Sequence, residues 1–387
     1  MAITPIPVAN FRRRLYQFLY QVEGDVPFAY NDSNGIPTLG VGYALLEGTP
    51  GKHNWVFRLN LKTELINAGI TSQQFKSLNE NLTLAMNALN GVVGATNPFP
   101  SPNGTNILGW TITTPQLQSL FNTIIPTYET QVKTWLGNDA LYAGLQGSYE
   151  MLALVSLAYN GVLASSTTLK KDILAGNRAD AWFQIRYGSN LHKTTGVAKR
   201  RYEEAAMFGL YNDNNNVTVE DAMAVYRMFT EHRDTIVKYD NAFLGQLANA
   251  NSDLIAAGFA SVGALTWQQD FQYAADALNK VYGNGNNFSE LNIYDASSRV
   301  ATVNRSSDNG ADLIIGGTSN STLTGGTGSD TFVYLPPSTG ATATTETIDD
   351  SRGKGNGSIY VGNKVLTASS TVIKYSGTNT RAWKMAA

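Results

Sequence analysis

The sequence contains no cysteine, and charged residues occupy only 15% of its 387 positions. The absence of cysteine excludes disulfide bonds, thiol catalysis and cysteine-ligated metals together. A formal net charge of -2 gives no reason to expect a nucleic-acid partner, because proteins that bind nucleic acids usually carry a basic stripe or domain. No run approaches the ~20 apolar residues needed to span a bilayer, so we expect no transmembrane segment.

The N-terminus also lacks the residue order of a secretory signal peptide. Arg12, Arg13 and Arg14 follow the first apolar stretch, and no cleavage-type run comes after a long apolar block. We therefore expect that a secreted form is exported without an N-terminal signal peptide.

A chain of this length predicts two or three domains, since a single core rarely grows beyond about 250–300 residues. We predict a mainly helical domain at 1–212, a helical spacer at 213–290, and a segment rich in Gly, Ser, Thr and Asn at 291–387. The predicted fold class is α+β, with a small β-hairpin in the helical domain and a parallel β-roll at the C-terminus.

Helical periodicity is clear at two places in the first region. A run that ends before Gly24 has apolar residues at helical spacing, namely Phe11, Leu15, Phe18 and Leu19. The stretch at 149–163 is apolar nearly all round, which indicates a buried central helix. Further along, Thr218 with Asp221 and Thr266 with Gln269 predict two helix N-termini in the spacer.

The stretch "YNDSNGIPTLGVGYAL" is different from its helical surroundings. Asn34 and Gly35 are turn residues, and Gly40 and Gly42 replace alternate side chains after the turn. This pattern predicts a short hairpin whose exposed backbone leaves room for a polymer. Between 47 and 110 the sequence is loosely patterned and includes an evident loop, "NPFPSPNGTN".

Two carboxylates flank the start of this hairpin. Hydrolysis of a glycosidic bond needs one protonated carboxyl group and one ionised carboxylate. Glu23 ends the first helix, where apolar neighbours are expected to desolvate it and retain its proton. Asp32 lies in a polar turn, where it is expected to stay charged, and Thr38 could hold a water molecule beside it.

The spacing of these three residues resembles that of the phage-type (T4-like) lysozymes. The letters "EG", "YND" and "TLGVGYAL" around Glu23, Asp32 and Thr38 resemble the first motif of that family. Farther on, "LVSLAYNGV" is similar to its central helix, and "GVAKRRYEEAAMFGLY" at 196–211 is similar to its closing motif. The resemblance runs from about residue 11 to 212.

The resemblance implies a two-lobed, lysozyme-like domain that is a muramidase. Glu23 would be the general acid, Asp32 the base or electrostatic partner, and Thr38 a residue that positions the attacking water. The substrate would be peptidoglycan, cut at the β-1,4 bond between N-acetylmuramic acid and N-acetylglucosamine. A water-positioning arrangement implies inversion at the anomeric carbon. No cofactor is expected for catalysis.

The chain departs from the family pattern at several positions. Tyr43 stands where the family often has histidine, and with Gly40 and Gly42 it is a candidate substrate contact. Residues 47–110 form an insertion, expected at or near the cleft between the lobes. We interpret Arg200 and Arg201 as a helix face that pairs with Glu203 and Glu204 or with the other lobe. Four tryptophans could stack on sugars but are interpreted mainly as core residues: Trp55, Trp110, Trp135 and Trp182.

A nine-residue period marks the C-terminal segment. It aligns "SDNGADLII" (307–315), "GGTSNSTLT" (316–324) and "GGTGSDTFV" (325–333), each with an apolar eighth residue. Such a repeat predicts a β-roll, in which each unit forms a glycine-rich turn and then a short strand. Stacking is obligatory because one unit cannot bury its own apolar face.

Successive units of a β-roll alternate sides, so the first and third loops should stack directly. Those loops carry Asp312 and Asp330, and two stacked carboxylates repel unless a cation lies between them. Calcium suits such oxygen ligands. The candidate calcium ligands are therefore Asp312 and Asp330, with Gly328 and Asp308 as further candidates in the same loops.

The three units resemble the nonapeptide repeats of exported RTX proteins, which implies a structural calcium ion and export. Together the motifs predict a secreted antibacterial or wall-remodelling enzyme that acts in the periplasm or cell wall. An immunity protein or secretion machinery could be a partner, but the sequence identifies neither. Two alternatives stay open. One is a non-catalytic protein that binds peptidoglycan through the same fold, and the other is a chitin or chitosan hydrolase.

Overall fold

The structure is a computed structural model. It describes residues 5–6, 8–24, 26–32, 34–189, 194–259, 261–297, 302–306, 309–317, 320–335, 347–349, 357–366, 371–374 and 381–384. Within these ranges the fold is α+β, with helices up to residue 282 and a strand-rich segment from residue 293 onward. The predicted fold class is confirmed at this level.

The helices of the first region include one buried on all sides. In chain order they are α1 (Val8–Glu23), α2 (Leu61–Asn67), α3 (Ser72–Leu89), α4 (Thr114–Leu136), α5 (Asp139–Leu145), α6 (Tyr149–Tyr159), α7 (Thr167–Ala175), α8 (Arg178–Phe183) and α9 (Thr195–Phe208). A 3₁₀ turn covers Leu163–Ser165 and a π-helical turn covers Gln184–Gly188. Helix α6 is buried from Glu150 to Ala158, so the predicted central helix is confirmed.

Helix α1 ends where the sequence predicts. Gly24 has φ +82°, a left-handed conformation that glycine adopts without steric cost and that stops the helix. The four apolar residues at helical spacing, Phe11, Leu15, Phe18 and Leu19, are all buried. The predicted buried face of this helix is therefore confirmed.

Helices α2 and α3 lie in the segment where the sequence predicted only loose patterning. A capping box begins α3: the Thr71 side chain accepts from the Gln74 N–H, and the Gln74 side chain accepts from the Thr71 N–H. This Thr-x-x-Gln signature was present in the sequence and could have identified the helix. Residues 61–89 of this loosely patterned segment are therefore mostly helical.

The predicted hairpin is part of a small antiparallel sheet. Strands β1 (Tyr30–Asn31), β2 (Pro37–Leu39) and β3 (Tyr43–Ala44) pair in that order, with Thr38 opposite Tyr30 on one side and Ala44 on the other. A second pair follows, β4 (Leu46–Glu47) with β5 (Val56–Phe57). These short strands present Asp32 in the turn between β1 and β2.

Three helices follow the first region, α10 (Val219–Phe243), α11 (Gln246–Ala256) and α12 (Trp267–Tyr282). The Thr218 side chain accepts from the Asp221 N–H, and Thr266 forms a capping box with Gln269, so both predicted N-termini are confirmed. These helices pack directly on the first region. The Arg14 guanidinium donates to the Gly258 carbonyl at 2.8 Å, and the rings of Phe18 and Phe259 make an edge contact.

The largest cluster of buried apolar side chains runs through all three predicted regions. It includes Leu15 of α1, Phe229 of α10, Leu278 of α12 and Ile315 in the strand-rich segment. A core that continues across residue 212 means that α10–α12 contribute to the stability of the first region as well as linking it to the C-terminal strands.

The C-terminal strands form two sheets that are mainly parallel. The first has the order β13 (Lys364–Val365), β12 (Ser358–Val361), β10 (Thr331–Tyr334), β8 (Leu313–Gly316) and β6 (Ile293–Asp295). The second has the order β11 (Thr347–Asp349), β9 (Thr322–Thr324) and β7 (Thr302–Asn304), and a separate antiparallel pair joins β14 (Thr371–Lys374) to β15 (Arg381–Lys384).

Strands β8, β9 and β10 begin at intervals of nine residues and alternate between the two sheets. Leu313 of β8 pairs with Thr331 of β10, and β9 lies in the other sheet. The eighth residues of the three repeat units, Ile314, Leu323 and Phe332, are buried in one small apolar cluster. The strand spacing and the inward apolar residue both follow the sequence pattern.

Candidate active site

Glu23 lies at the last position of α1 and contacts a residue far away in the sequence. Arg200 of α9 donates from Nη1 to the Glu23 Oε1, although the two residues are 177 positions apart. The Glu23 side chain keeps 30% of its exposure, whereas Arg200 keeps 7%. The expectation that apolar neighbours surround Glu23 is wrong, because its carboxylate is partly exposed and paired with a guanidinium.

Arg200 also joins α9 to the central helix. Its Nη2 donates to the Ser156 carbonyl at 3.0 Å, and its Nε donates to Glu204 at 3.1 Å. These contacts fix the guanidinium, so the position of the Glu23 carboxylate is set by three helices, α1, α6 and α9. A fixed carboxyl group suits general acid catalysis, which depends on geometry before it depends on pKa.

The adjacent Arg201 is fully buried and makes structural contacts. It donates to Glu204 of its own helix and to the Asn160 side chain at the end of α6. The predicted pairing of Arg200 and Arg201 is confirmed for Glu204, whereas the described ion pairs join neither arginine to Glu203. Glu203 is also fully buried, and burial, as the main cause, raises its pKa to about 9.

Asp32 is held by its own turn. Its Oδ1 accepts from the N–H groups of Asn34 and Ile36, both at 2.8 Å. The same turn is closed by backbone hydrogen bonds from Asp32 to Ile36 and from Gly35 to Asp32. An aspartate that caps a turn in this way has a fixed carboxylate direction.

The insertion packs against this turn. Asn97 donates to the Gly35 carbonyl at 2.9 Å, and Asn31 donates to the carbonyl groups of Phe99 and Pro100 at 2.6 and 2.7 Å. The loop that contains Phe99 and Pro100 therefore lies against the strand and turn that carry Asp32. The structure places at least this part of the insertion next to a candidate catalytic residue.

Thr38 occupies the middle of β2 and is 3% exposed. Its hydroxyl donates to the Ile36 carbonyl at 2.9 Å, so its oxygen keeps its lone pairs as acceptors. No hydrogen bond or ion pair among the described residues joins Glu23 to Asp32 or to Thr38. The structure brings Asp32 and Thr38 into one turn-and-strand unit and brings Glu23 to Arg200.

The two hairpin glycines have neighbours within the protein. A Cβ at Gly40 would lie 2.2 Å from the Leu117 Cδ2, and a Cβ at Gly42 would lie 3.0 Å from the Tyr159 hydroxyl oxygen. Both residues also have positive φ, +52° and +84°. The side of Gly40 predicted to admit a polymer is filled by Leu117, whereas Gly42 still borders a cavity.

Tyr43 has a partner other than Asp32. Its hydroxyl donates to Glu64 of α2, which also accepts from the Arg58 Nε at 3.1 Å, and Arg58 lies over the Tyr43 ring. Burial and the hydrogen bond to Glu64 raise the pKa of Tyr43. Tyr43 therefore stays neutral, and the described contacts give it a structural role in holding α2 against β3.

Two further tyrosines lie near Glu23. The Tyr159 hydroxyl donates to the Val41 carbonyl, which attaches the end of α6 to the hairpin, and the Tyr159 ring lies 4.6 Å from that of Tyr128. Burial is the main cause that raises the pKa of both phenols, and the negative charge of Glu23 adds to it. Tyr128 also lines the first of the cavities described next.

A small cavity opens beside β3. The hairpin cavity, about 90 Å³, is lined in part by Gly42, Tyr43, Arg58, Tyr128 and Gln131. A larger cavity of about 700 Å³ lies along α4 and shares Thr127 and Gln131 with it. Glu23, Asp32 and Thr38 are not among the residues that line either cavity.

The predicted calcium ligands are buried side by side. Asp312 and Asp330 immediately precede the paired strands β8 and β10, and the Asp330 Oδ1 accepts from the Asp312 N–H at 2.9 Å. Asn292 donates to the Asp312 Oδ1 at 3.0 Å, and the Arg305 Nε lies 3.4 Å from its Oδ2. A calcium ion between the carboxylates would have to displace Arg305 and Asn292, so no coordination geometry follows from this arrangement.

The other two candidates add little to the calcium site. Gly328 lies where the loops are closest, since a Cβ there would be 1.9 Å from the Gly310 carbonyl oxygen. Asp308 lies outside the described residues. Across the ranges that the structure describes, no group of three His, Cys, Asp or Glu side chains is arranged to hold a metal ion.

Sequence reasoning missed the partners of the candidate residues. Arg200 was expected to pair with its own helix or with the other lobe, but Glu23 was not named as its partner, and Glu64 and Arg58 lie in a segment that matched no motif. The one signal that could have led to Arg200 is its place in the closing motif at 196–211. The pairing of residues so distant along the chain has no local signature.

Comparisons of the chain with protein-family models, curated proteins and solved structures gave no match. The candidate site therefore depends on its own geometry and on the motifs in the sequence. Among the described residues, no helix has both the length and the apolar character needed to cross a bilayer.

Proposed function

We propose that the protein is a muramidase that hydrolyses the β-1,4 bond between N-acetylmuramic acid and N-acetylglucosamine in peptidoglycan. In this proposal the first 212 residues provide a lysozyme-like domain, and Glu23, Asp32 and Thr38 carry the chemistry. The proposal comes from the motif resemblance and is supported by the contacts around Glu23.

One observation carries the proposal. The three stretches that resemble the lysozyme family are far apart in the sequence, yet they meet at Glu23. Arg200 of the third stretch contacts Glu23 of the first and Ser156 of the second. Tyr159 of the second stretch contacts Val41 in the hairpin. Motifs that matched by chance would have no reason to converge on one carboxylate.

Each residue has a chemical role in the proposed reaction. Glu23 donates a proton to the leaving glycosidic oxygen, and its partial exposure is the route by which that oxygen reaches the carboxyl group. Asp32, anchored through Oδ1, stabilises positive charge at the anomeric carbon or accepts a proton from water. The lone pairs of the Thr38 oxygen accept a hydrogen bond from that water.

Glu23→Gln tests the proposal. An amide of the same shape cannot donate the proton, so loss of turbidity of purified peptidoglycan should slow by about 10²- to 10⁴-fold. The matched control is Glu80→Gln, an exposed glutamate on α3, which should hydrolyse peptidoglycan at the wild-type rate. Equal rates for the wild type and Glu23→Gln would end the enzyme proposal.

The same measurements separate the alternatives. A protein that sediments with peptidoglycan but releases no reducing ends is a binding protein. A protein that releases products from chitin or chitosan but not from peptidoglycan has the same chemistry with another substrate. The anomeric form of the first product, read by NMR, distinguishes inversion from retention.

We also propose that the C-terminal strands form a β-roll stabilised by calcium and that the enzyme is secreted to act in the periplasm or cell wall. The nine-residue strand spacing and the buried eighth residues support the β-roll. Calcium is supported by two adjacent buried carboxylates, Asp312 and Asp330, and is opposed by the Arg305 contact. Export is supported only by the repeat resemblance.

A further inference from the structure

An open groove runs along helix α4, on the far side of Tyr128 from Glu23. This feature, the α4 groove, has a volume of about 700 Å³, within the range of small-ligand sites. Its walls are one face of α4 and the turn that follows α6. The residues used below are Thr127, Thr130, Gln131, Thr134, Trp135 and Leu163.

The α4 face of the groove repeats at helical spacing. Thr127, Thr130, Gln131, Thr134 and Trp135 follow the i, i+3, i+4, i+7, i+8 pattern of a single helix face. The first four are exposed and Trp135 is half-buried. A stripe with this spacing is usually a buried apolar contact or a charged solvent face, and here it is neither.

No residue that lines the α4 groove carries a charge. The charged residues of the same stretch of α4 pair elsewhere, Glu129 with Arg12 and Lys133 with Asp139. Hydroxyl and amide groups beside an aromatic ring match an uncharged ligand that has its own hydroxyl and amide groups. An N-acetyl sugar is such a ligand, whereas an anionic peptide would need a cation in the groove.

The α4 groove adjoins the hairpin cavity. Thr127 and Gln131 border both of them, and the hairpin cavity is also lined by Gly42 and Tyr43. The groove therefore lies next to a cavity formed by the hairpin that carries Asp32 and Thr38.

We propose that the α4 groove is a distal subsite for an uncharged N-acetylglucosamine unit of the glycan, with Trp135 as the surface on which the sugar packs. This inference depends on the proposed function, since it names the part of the same polymer that lies beyond the cut bond. The hydroxyl and amide groups of the Thr127 to Thr134 stripe bind the sugar's polar edge, and the Trp135 ring packs on its apolar face.

The test measures binding of N-acetylglucosamine oligomers to the full-length Glu23→Gln protein by calorimetry. Trp135→Ala should weaken binding of the hexasaccharide about tenfold and leave binding of the disaccharide unchanged. Trp135→Phe keeps an aromatic ring and should weaken hexasaccharide binding less than Trp135→Ala does. Hexasaccharide binding that is equally tight with and without Trp135 would overturn the inference.

Trp135→Ala could weaken binding by disturbing the packing of the core, so a second pair of variants tests the groove without removing Trp135. Thr130→Trp adds bulk inside the groove at an exposed position and should also weaken hexasaccharide binding about tenfold. Thr83→Trp makes the same change at an exposed position of α3, outside the groove, and should have no effect. If both variants bind the hexasaccharide equally, the groove is not a subsite.

The outcomes also separate this inference from the proposed function. If the wild type cuts peptidoglycan while the groove variants bind oligomers normally, only the subsite is wrong. If peptidoglycan is not cut but hexasaccharide binding depends on Trp135 and Thr130, the groove is a sugar site and the proposed catalysis is wrong.

Discussion

The helical region and the C-terminal strands neutralise buried carboxylates in different ways. In the helical region three such carboxylates lie beside arginine, in the pairs Glu150–Arg178, Asp240–Arg186 and Glu204–Arg200, whereas burial raises the pKa of Glu203. In the strand region, backbone, amide and hydroxyl donors dominate: Asp295 accepts from Ser297, and Asp330 accepts from the Asp312 N–H. Asp312 is intermediate, with the longer Arg305 contact at 3.4 Å.

The difference follows from the spacing of each structure. Helices pack at distances that a long arginine side chain can bridge, so each buried acid can have its own cation. Stacked strands lie about 4.8 Å apart, which places the acids of successive turns beside one another. The strand region therefore depends more on donors shared between turns, and there an added cation should have the greater effect.

Removal of one buried arginine is expected to lower the free energy of unfolding more than any other change proposed here. Arg178→Met leaves the fully buried Glu150 without the guanidinium that lies 2.7 Å from it, which should lower the free energy of unfolding by about 3–5 kcal/mol. The control is Arg12→Met, which breaks the 2.8 Å pair with Glu129 at the surface and should cost at most about 1 kcal/mol. Urea unfolding measures both.

If the free energy of unfolding fell equally in Arg178→Met and Arg12→Met, burial would not explain why Arg178 stabilises the protein. The two ion pairs have nearly equal lengths and differ in exposure, and Arg178 also donates to the carbonyl groups of Phe208 and Gly209. A loss in Arg178→Met that Glu150→Gln reverses in the double variant would assign the cost to the uncompensated carboxylate.

Calcium is expected to give the next largest effect, confined to the strand region. At a concentration 100 times its dissociation constant, a bound ion adds about 2.7 kcal/mol to stability. Calorimetry should show a higher Tm for the C-terminal transition in millimolar calcium, and Asp330→Ala should abolish the shift. Arg305→Gln removes the competing contact with Asp312 and should enlarge it.

If calcium leaves the Tm of both the wild type and Arg305→Gln unchanged, the proposed calcium site is wrong. Magnesium at the same concentration is the control, since its demand for near-octahedral geometry makes it a poor substitute. A shift that persists in Asp330→Ala would place the ion elsewhere in the chain.

Measured over a single pH unit, the smallest change in stability is a pH dependence that arises at Glu203. Burial raises the pKa of Glu203 to about 9 in the folded protein, from a usual value of 4.5. Between these values the unfolded chain releases the proton and the folded chain keeps it, so stability should fall as pH rises, by up to about 1.4 kcal/mol per unit. Glu203→Gln should flatten this dependence in urea titrations.

The exposed Glu80 again provides the control, because Glu80→Gln should leave the slope unchanged. Asp270, whose pKa burial raises to about 7, contributes a slope of the same sign in both proteins. A wild-type slope that Glu203→Gln does not alter would contradict the assignment of the buried proton to Glu203.

The strand region could be predicted from the sequence because its pattern is local. Each nine-residue unit contains both its turn glycines and its inward apolar residue, and Ile314, Leu323 and Phe332 cluster as the period requires. The same period pairs Leu313 with Thr331. It carries no information about Arg305, whose contact with Asp312 depends on the side-chain path between turns.

The candidate site could be predicted only in part. The motif resemblance made Glu23, Asp32 and Thr38 candidates, and turn chemistry explains how Asp32 is held. The environment of Glu23 depends on Arg200, a contact made by packing three helices together. Neither helical periodicity nor capping signals encode such a contact, so the expected apolar surroundings of Glu23 were wrong.

The contact between α1 and the end of α11 means that a fragment lacking α11 should be less soluble than the full chain. Phe259, beside the end of α11, packs on Phe18 and Tyr149 and lies beneath Arg14, and these three partners would lose the contact in a fragment that stops at residue 212. Such a fragment would expose apolar surface in the helix that carries Glu23 and would tend to aggregate. A unit for expression therefore has to include at least the helices up to α12, and an inactive fragment of residues 1–212 would report lost solubility, not a missing catalytic group.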